Sequence, residues 1–352
     1  MKEIQSRIQV GILGATGMVG QRFVELLADH PWFEIVALAA SDRSAGQRYS
    51  DATRWVQSTP LPSRVAGMPV RPCVPDLPCR LVFSGLDSAV AGGLEEEFAR
   101  AGHVVVSNSR NHRMDRDVPL IIPEVNPDHL DLVTRQRFGS GLIVTNPNCS
   151  VIGLVMALKP LADRWGLERV HVVMMQAISG AGYPGVASLD IVDNVIPFIG
   201  GEEEKVETEP RKILGRLGPD GVDLHSVKIS AQCNRVAVVD GHTECVSVKL
   251  RAPASSGEIV DAFGAFRGAP QELGLPTAPE FPLVYLPDDR HPQPRLHRGL
   301  GRGMTVSVGR LRRCPLEDWK FALLSHNTVR GAAGCAVLIA ELMLRRGFLE
   351  GR

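Results

Sequence analysis

Four glycines in the stretch "GILGATGMVG", Gly11, Gly14, Gly17 and Gly20, constrain this chain more than any other feature. Before them, "RIQVGILGA" (Arg7–Ala15) reads as a buried strand. After them, "MVGQRFVELLADH" (Met18–His30) carries apolar residues at helical spacing. A strand that turns through glycines into a helix lets the backbone come close to a pyrophosphate. The helix start then offers free N–H groups and a positive partial charge. The spacing is G-x-x-G-x-x-G, not G-x-G-x-x-G. A tight turn without a ligand is the alternative.

The alternation continues. "FEIVALAA" (Phe33–Ala40), "RLVFSGL" (Arg80–Leu86), "HVVVSNS" (His103–Ser109) and "LIVTNPN" (Leu142–Asn148) read as short strands, with helical stretches such as "AGGLEEEFARAG" between them. Alternating strands and helices predict an α/β, doubly wound parallel sheet in about the first 150 residues. Beyond Cys149 the texture changes. "ERVHVVMMQAIS", "HTECVSVKLRA" and "GMTVSVGRLRR" read as longer strands of partial alternation, joined by Pro/Gly-rich loops, notably Gly268–Pro294. They predict a second, α+β domain with a largely antiparallel sheet. The last segment, "HNTVRGAAGCAVLIAELMLRRG", reads as a helix able to pack back on the first domain. A chain of 352 residues suits two domains. The expected division is residues 1–148 plus 328–352 for a dinucleotide-binding domain and 149–327 for a catalytic and dimerisation domain.

Charge narrows the partners. Lys and Arg number 39 and so do Asp and Glu, which argues against nucleic acid or an anionic membrane as a bulk partner. No run reaches about 18 uninterrupted apolar residues, so no membrane span is expected. "MKEIQSRIQV" lacks the apolar stretch of a signal peptide. The seven cysteines include no CxxC pair, which disfavours a disulfide framework or a cysteine zinc site; no metal is expected, and the cytoplasm is.

Three constellations carry chemistry. At the end of the second strand, "AASDRSAGQ" offers Ser41, Arg43 and Ser44, hydroxyls and a guanidinium suited to a 2′-phosphate. This favours NADP over NAD, although Asp42 would repel that phosphate. Cys149, in "TNPNCSVIGLVMALKPL", begins an apolar helix-like run, where helix dipole and N–H groups stabilise a thiolate. Beside a nicotinamide such a thiolate suggests a thiohemiacetal that passes hydride and leaves an acyl thioester. His242, in a Gly-His turn before a strand, is a candidate base, and Arg235 a clamp for a substrate carboxylate. The acidic run "IGGEEEKVETEPRKIL" (Ile199–Leu214) is either a solvated helical face or a carboxylate for a substrate amine beside a lysine for an anion.

Together "GATGMVG", "NPNCS", "QAISGAGYPG", "GGEEEK", "CNRVAVVDGH" and "HNTVRGAAG" resemble, in this order, the aspartate-β-semialdehyde dehydrogenases of the archaeal and fungal branch. The resemblance implies a Rossmann-type domain and a second domain for catalysis and dimerisation, as a homodimer or homotetramer. It implies NADP-dependent, reversible reductive dephosphorylation of L-4-aspartyl phosphate to L-aspartate-4-semialdehyde, toward lysine, threonine and methionine. It assigns the nucleophile to Cys149, acid/base work to His242 and substrate positioning to Gln176. It assigns the substrate carboxylate to Arg235, the amine to one of Glu202, Glu203 and Glu204, and phosphate to Lys205 and Arg113, with Asn111 close by. Cofactor contacts fall on Gly14, Thr16, Gly17, Met18, Val19, Ser41, Arg43, Ser44, Ser179, Gly180 and Asn327. Malonyl-CoA reductase, or another acyl-phosphate or acyl-CoA reductase of this fold, is the alternative within the class. A non-catalytic NADP-binding sensor is the alternative outside it.

Overall fold

The computed structural model describes residues 6–349. The signal-peptide reading at residues 1–5 and the assignment of residues 350–352 to the first domain lie outside them.

The first sheet is built from β1 (Ile8–Leu13), β2 (Phe33–Ala40), β3 (Val70–Pro72), β4 (Leu81–Ser84), β5 (Val104–Ser107) and β6 (Leu142–Thr145). Its order is β3-β2-β1-β4-β5-β6, every pair parallel. The β-branched runs of β4, β5 and β6 are buried throughout, as expected of parallel strands covered on both faces. Helices α1 (Met18–Leu27) and α2 (Ser88–Arg100) belong to this unit. The order reverses direction beside β1, and ligands of open α/β sheets bind at the carboxyl ends there.

The second sheet combines β7 (Leu167–Gln176), β8 (Val195–Ile196), β11 (Lys228–Val236), β12 (His242–Leu250), β13 (Leu283–Leu286), β14 (Val306–Arg313) and β15 (Trp319–Ser325). A small separate hairpin holds β9 (Arg216–Gly218) and β10 (Gly221–Asp223). The large sheet runs β13-β14-β15-β12-β7-β11-β8. It is largely antiparallel, with β7–β11 and β13–β14 as parallel pairs. The reading of 268–294 as loop needs correction, because β13 lies within it; four residues, one buried and three half-buried, give little periodicity of their own. β11 and β15 also went unread. β11 alternates polar and apolar over Lys228–Asn234, a period-2 strand signal present in the sequence itself, and its register against β7 places it in the sheet.

α3 (Cys149–Trp165) links the two sheets and is almost wholly buried. On β12 the residues His242, Glu244, Val246, Val248 and Leu250 are buried, while Thr243, Cys245, Ser247 and Lys249 are not. One face of this sheet therefore packs on helix and the other stays open. One more helix matters for the site, α4 (Glu202–Ile213); α5 (Ser256–Ala265) follows further along the chain. The C-terminal segment begins with a π-helical turn, Val329–Ala333, and continues as α6 (Gly334–Arg345). It packs on α1 and β5. Glu341 of α6 accepts from His30 Nε2 at 2.7 Å and from Thr277 N at 3.1 Å, tying both units to the chain's end.

Candidate active site

A cleft of about 620 Å³ opens where the carboxyl end of the parallel sheet meets the second domain. Met18 and Val19 from the start of α1, Cys149 from the start of α3, Lys205 from α4 and Arg235 from β11 line it. Ser179, Gly180 and Asn327 complete its wall.

Cys149 is the first residue of α3 because Asn148 caps that helix. The Asn148 Oδ1 accepts from the N–H groups of Ser150, at 3.0 Å, and Val151, at 3.4 Å. Sequence reasoning gave Asn148 no role, although an asparagine ahead of an apolar helical run is a cap signal. The Cys149 Sγ lies 3.2 Å from the His242 Nε2. His242 opens β12, is fully buried, and accepts from the Ala177 N–H at Nδ1, at 3.0 Å. That bond leaves the ring proton of a neutral imidazole on Nε2, facing the sulfur. Register explains the convergence. Arg235 pairs with Gln176 across β11–β7, and Thr243 pairs with Met175 across β12–β7. Three distant segments thus deliver Gln176, Arg235 and His242 to one spot.

Glu202 resolves the acidic run. It is buried, while Glu203 accepts from the Cys233 N–H and Glu204 points to solvent-accessible space. Its carboxylate receives Lys205 Nζ at 2.5 Å, Gln176 Nε2 at 3.0 Å and Asn148 Nδ2 at 3.0 Å. Burial alone would raise the Glu202 carboxyl, but Lys205, Gln176 and Asn148 hold it below its ordinary value. Burial pushes the Cys149 thiol up to about 12, with Glu202 adding to the rise. Arg113, Arg235 and Lys205 oppose it. Burial drives His242 down to about 3, and the Arg235 charge acts in the same direction. The dyad is thus held uncharged, within reach of three cations. An anionic substrate fits such a cleft.

Arg113 is buried and lines the cleft. Its Nε donates to Asn146 O at 3.0 Å, Nη1 to Glu209 Oε1 at 2.9 Å and Nη2 to Asn108 O at 2.8 Å. Asn111 lies outside the cleft lining. It is exposed, its Nδ2 donates to Ser88 O at 3.0 Å, and its Oδ1 accepts from Ser109. Asn108 and Arg110 line the cleft in its place, three residues and one residue earlier in the same loop. Loop backbone, not residue type, decided which asparagine faces inward.

Of the other cofactor candidates, Gly14 has φ +72°, and a Cβ there would lie 2.7 Å from Gly85 O. A Cβ on Gly20 would lie 2.2 Å from Gly14 O. The turn is closed so tightly that only glycine fits, and Gly17 caps α1 without a side chain. Thr16 gives its carbonyl to Gln21. Ser41, Arg43 and Ser44 form a turn at the carboxyl end of β2, with Ser44 N bonded to Ser41 O, outside the cleft lining. The Asn327 Nδ2 donates to Ser179 Oγ at 2.8 Å, and its Oδ1 accepts from Gly241 N at 2.8 Å, steadying the residue ahead of His242. Among the described residues no group of three or more His, Cys, Asp or Glu could hold a metal ion.

Comparison with known proteins places this geometry. A family model described as semialdehyde dehydrogenase, NAD binding domain, matches residues 9–133. One described as semialdehyde dehydrogenase, dimerisation domain, matches residues 158–330. The chain is 49% identical over 343 residues to an aspartate-semialdehyde dehydrogenase of Archaeoglobus fulgidus, covering 96% of this chain and 98% of that one. It is 49% identical over 354 residues to that of Schizosaccharomyces pombe, covering 97% and 99%. A crystal structure of aspartate semialdehyde dehydrogenase with NADP from Candida albicans superposes with a TM-score of 0.90 at 44% identity, covering 97% of this chain and all of that one.

Proposed function

The chain belongs to the aspartate-semialdehyde dehydrogenase family, and on that footing we propose that it interconverts L-4-aspartyl phosphate and L-aspartate-4-semialdehyde with NADP, through a thioester on Cys149. The biosynthetic direction is reductive, toward lysine, threonine and methionine. The observation that carries this reading is the Cys149–His242 contact at a capped helix start, opposite the glycine turn of a parallel sheet.

The residues fit a dinucleotide. The closed glycine turn leaves the first N–H groups of α1 along the cleft, and the Ser41–Ser44 turn carries Arg43 for a 2′-phosphate. Bound there, the nucleotide supplies or accepts the hydride.

In the reductive direction the Cys149 thiol attacks the acyl carbon, and its proton passes to the departing phosphate. A C–S bond forms, the C–O bond to phosphate breaks, and Arg113 and Lys205 receive the departing phosphate. Arg235 holds the substrate carboxylate and Glu202 its ammonium, with Gln176 keeping Glu202 in place. Hydride addition leaves a thiohemiacetal oxyanion on Cys149. The Cys149 N–H is an orphan donor of the helix start and lies beside that oxygen's carbon. His242 shares its Nε2 proton with the oxyanion and takes it back as the C–S bond breaks. Aldehyde and thiolate result, and the thiolate regains from solvent the one proton that the overall reaction consumes.

Homodimerisation or tetramerisation through the open face of the second sheet is part of this reading. Val192, Val195 and Phe198, at its β8 edge, are 64%, 55% and 71% exposed, and sedimentation at assay concentration reads the state directly. Free thiols at all seven cysteines support a cytoplasmic setting. No helix among the described residues is long and apolar enough to cross a membrane.

The test is an assay of aspartate semialdehyde plus phosphate against malonyl-CoA, each with NADP and NAD. Acid-quenched enzyme is then examined by mass spectrometry. An aspartyl mass on Cys149 is expected. Turnover with no such adduct, or turnover of malonyl-CoA alone, refutes the proposal.

A further inference from the structure

α4 carries Glu202, Lys205, Glu209 and Lys212 at spacings that put all four on one side of the helix. The first two belong to the catalytic centre. The second two reach into the other domain. Lys212 is buried, and its Nζ donates to the carbonyls of Arg113, Asp115 and Val118 at 2.7, 2.7 and 2.8 Å. It grips the loop that follows β5.

Glu209 sits between that loop and the nucleophile, and is 2% exposed. One oxygen accepts from Arg113 Nη1 at 2.9 Å, the other from the backbone N–H of Asn148 at 2.8 Å. Both neighbours are donors, so only an acceptor-only group satisfies them together. Arg113 has five N–H donors. Three are committed, to Asn146 O, Glu209 and Asn108 O, which leaves two for the cleft. Glu209 fixes which two.

We infer that Glu209 is a positioning residue for the phosphate step: one carboxylate locks the Arg113 guanidinium to the Asn148 turn, and so sets where phosphate lies relative to the thioester on Cys149. This rests on the proposed reaction, since it takes Arg113 as a phosphate ligand. The Arg113–Glu209 pair by itself is weak evidence for stability, because desolvation of two buried charges offsets most of their attraction. Its geometry, bridging a cation in one wall of the cleft and the residue before the nucleophile, is what points to positioning.

The experiment uses the full-length enzyme in the oxidative direction, where hydride transfer and phosphorolysis separate. Without phosphate, aldehyde and NADP⁺ give one burst of NADPH; steady turnover then needs phosphate. In Glu209→Gln the amide NH₂ must face one of the two donors, and Arg113 swings out of register. The KM for phosphate should rise about tenfold or more, while the burst and the KM for NADP⁺ stay within about twofold of wild type. Glu209→Asp keeps the charge but reaches only one partner, and should show a smaller rise in the same constant. It also serves as the test if Glu209→Gln does not fold. Equal changes in the constants for phosphate and aldehyde, or an unchanged phosphate KM, overturn the inference alone. A wild-type enzyme that turns over without phosphate overturns the substrate reading and this inference with it.

Discussion

Gly180 shows how little room Arg235 and His242 leave. A Cβ there would lie 2.8 Å from Arg235 Nη1 and 3.2 Å from His242 Cε1. Arg235 Nη1 also donates to Ala177 O at 2.8 Å, so it cannot retreat without losing that bond. Gly180→Ala should therefore lower kcat/KM for the aldehyde about tenfold or more with the fold intact, and steady-state kinetics beside a melting curve check it. Wild-type kcat/KM in this variant would mean that Arg235 does not hold substrate. Gly331 makes a similar close approach, its missing Cβ lying 2.9 Å from the Cys149 Cβ. Sequence motifs flagged Gly180 as a cofactor contact; its second role, as space for Arg235 and His242, is a matter of packing and has no local signature.

The elements place these residues by their ends. α3 starts where Asn148 caps it, and the same side chain donates to Glu202. Asn148→Ala should cost about 1–2 kcal/mol of stability through the lost cap. It should also lower activity, because Glu202 loses a partner next to Cys149. Denaturant unfolding and activity on one preparation check both, and a stable, fully active variant refutes the account. The C-terminal segment read as one helix, yet its first turn is π-helical, with Gly331 N bonded to His326 O at 2.9 Å. Such bulges are frequent at functional sites, and this one brings Gly331 against Cys149. Residue periodicity distinguishes helix from strand but not a π-turn from an α-turn. β11 differs: its alternation over Lys228–Asn234 carries a strand signal of its own, and pairing with β7 decides only its place in the sheet.

At the scale of the molecule, burial sets an electrostatic liability beneath the site. Glu244 shares the inner face of β12 with His242 and is fully buried, and neither of its oxygens has a partner among the described residues. Burial raises its carboxyl well above the ordinary value of 4.5. The unfolded chain therefore releases this proton near that value while the native state keeps it. Stability is complete below the unfolded pKa and falls as pH climbs toward the folded one. Glu244→Gln removes the effect. As pH rises from 5 to 7 the wild type should lose more stability than the variant, read by denaturant unfolding of both proteins at each pH. Parallel pH profiles for the two proteins would show that Glu244 ionises in the fold.

What the sequence determined by itself was everything written in neighbouring residues. The glycine turn, the alternation of strands and helices and the apolar helical run after Cys149 were legible because backbone geometry and side-chain period are local. So was the order of motifs that marks the family. Tertiary structure decided the rest. It chose Glu202 over its two neighbours, turned Asn108 inward and Asn111 outward, brought His242 to 3.2 Å from a sulfur 93 residues away, and spanned two domains with Glu209. Those outcomes depend on sheet register and on which face of α4 is buried. Such relations hold between segments distant in the chain, and no stretch of sequence carries them alone.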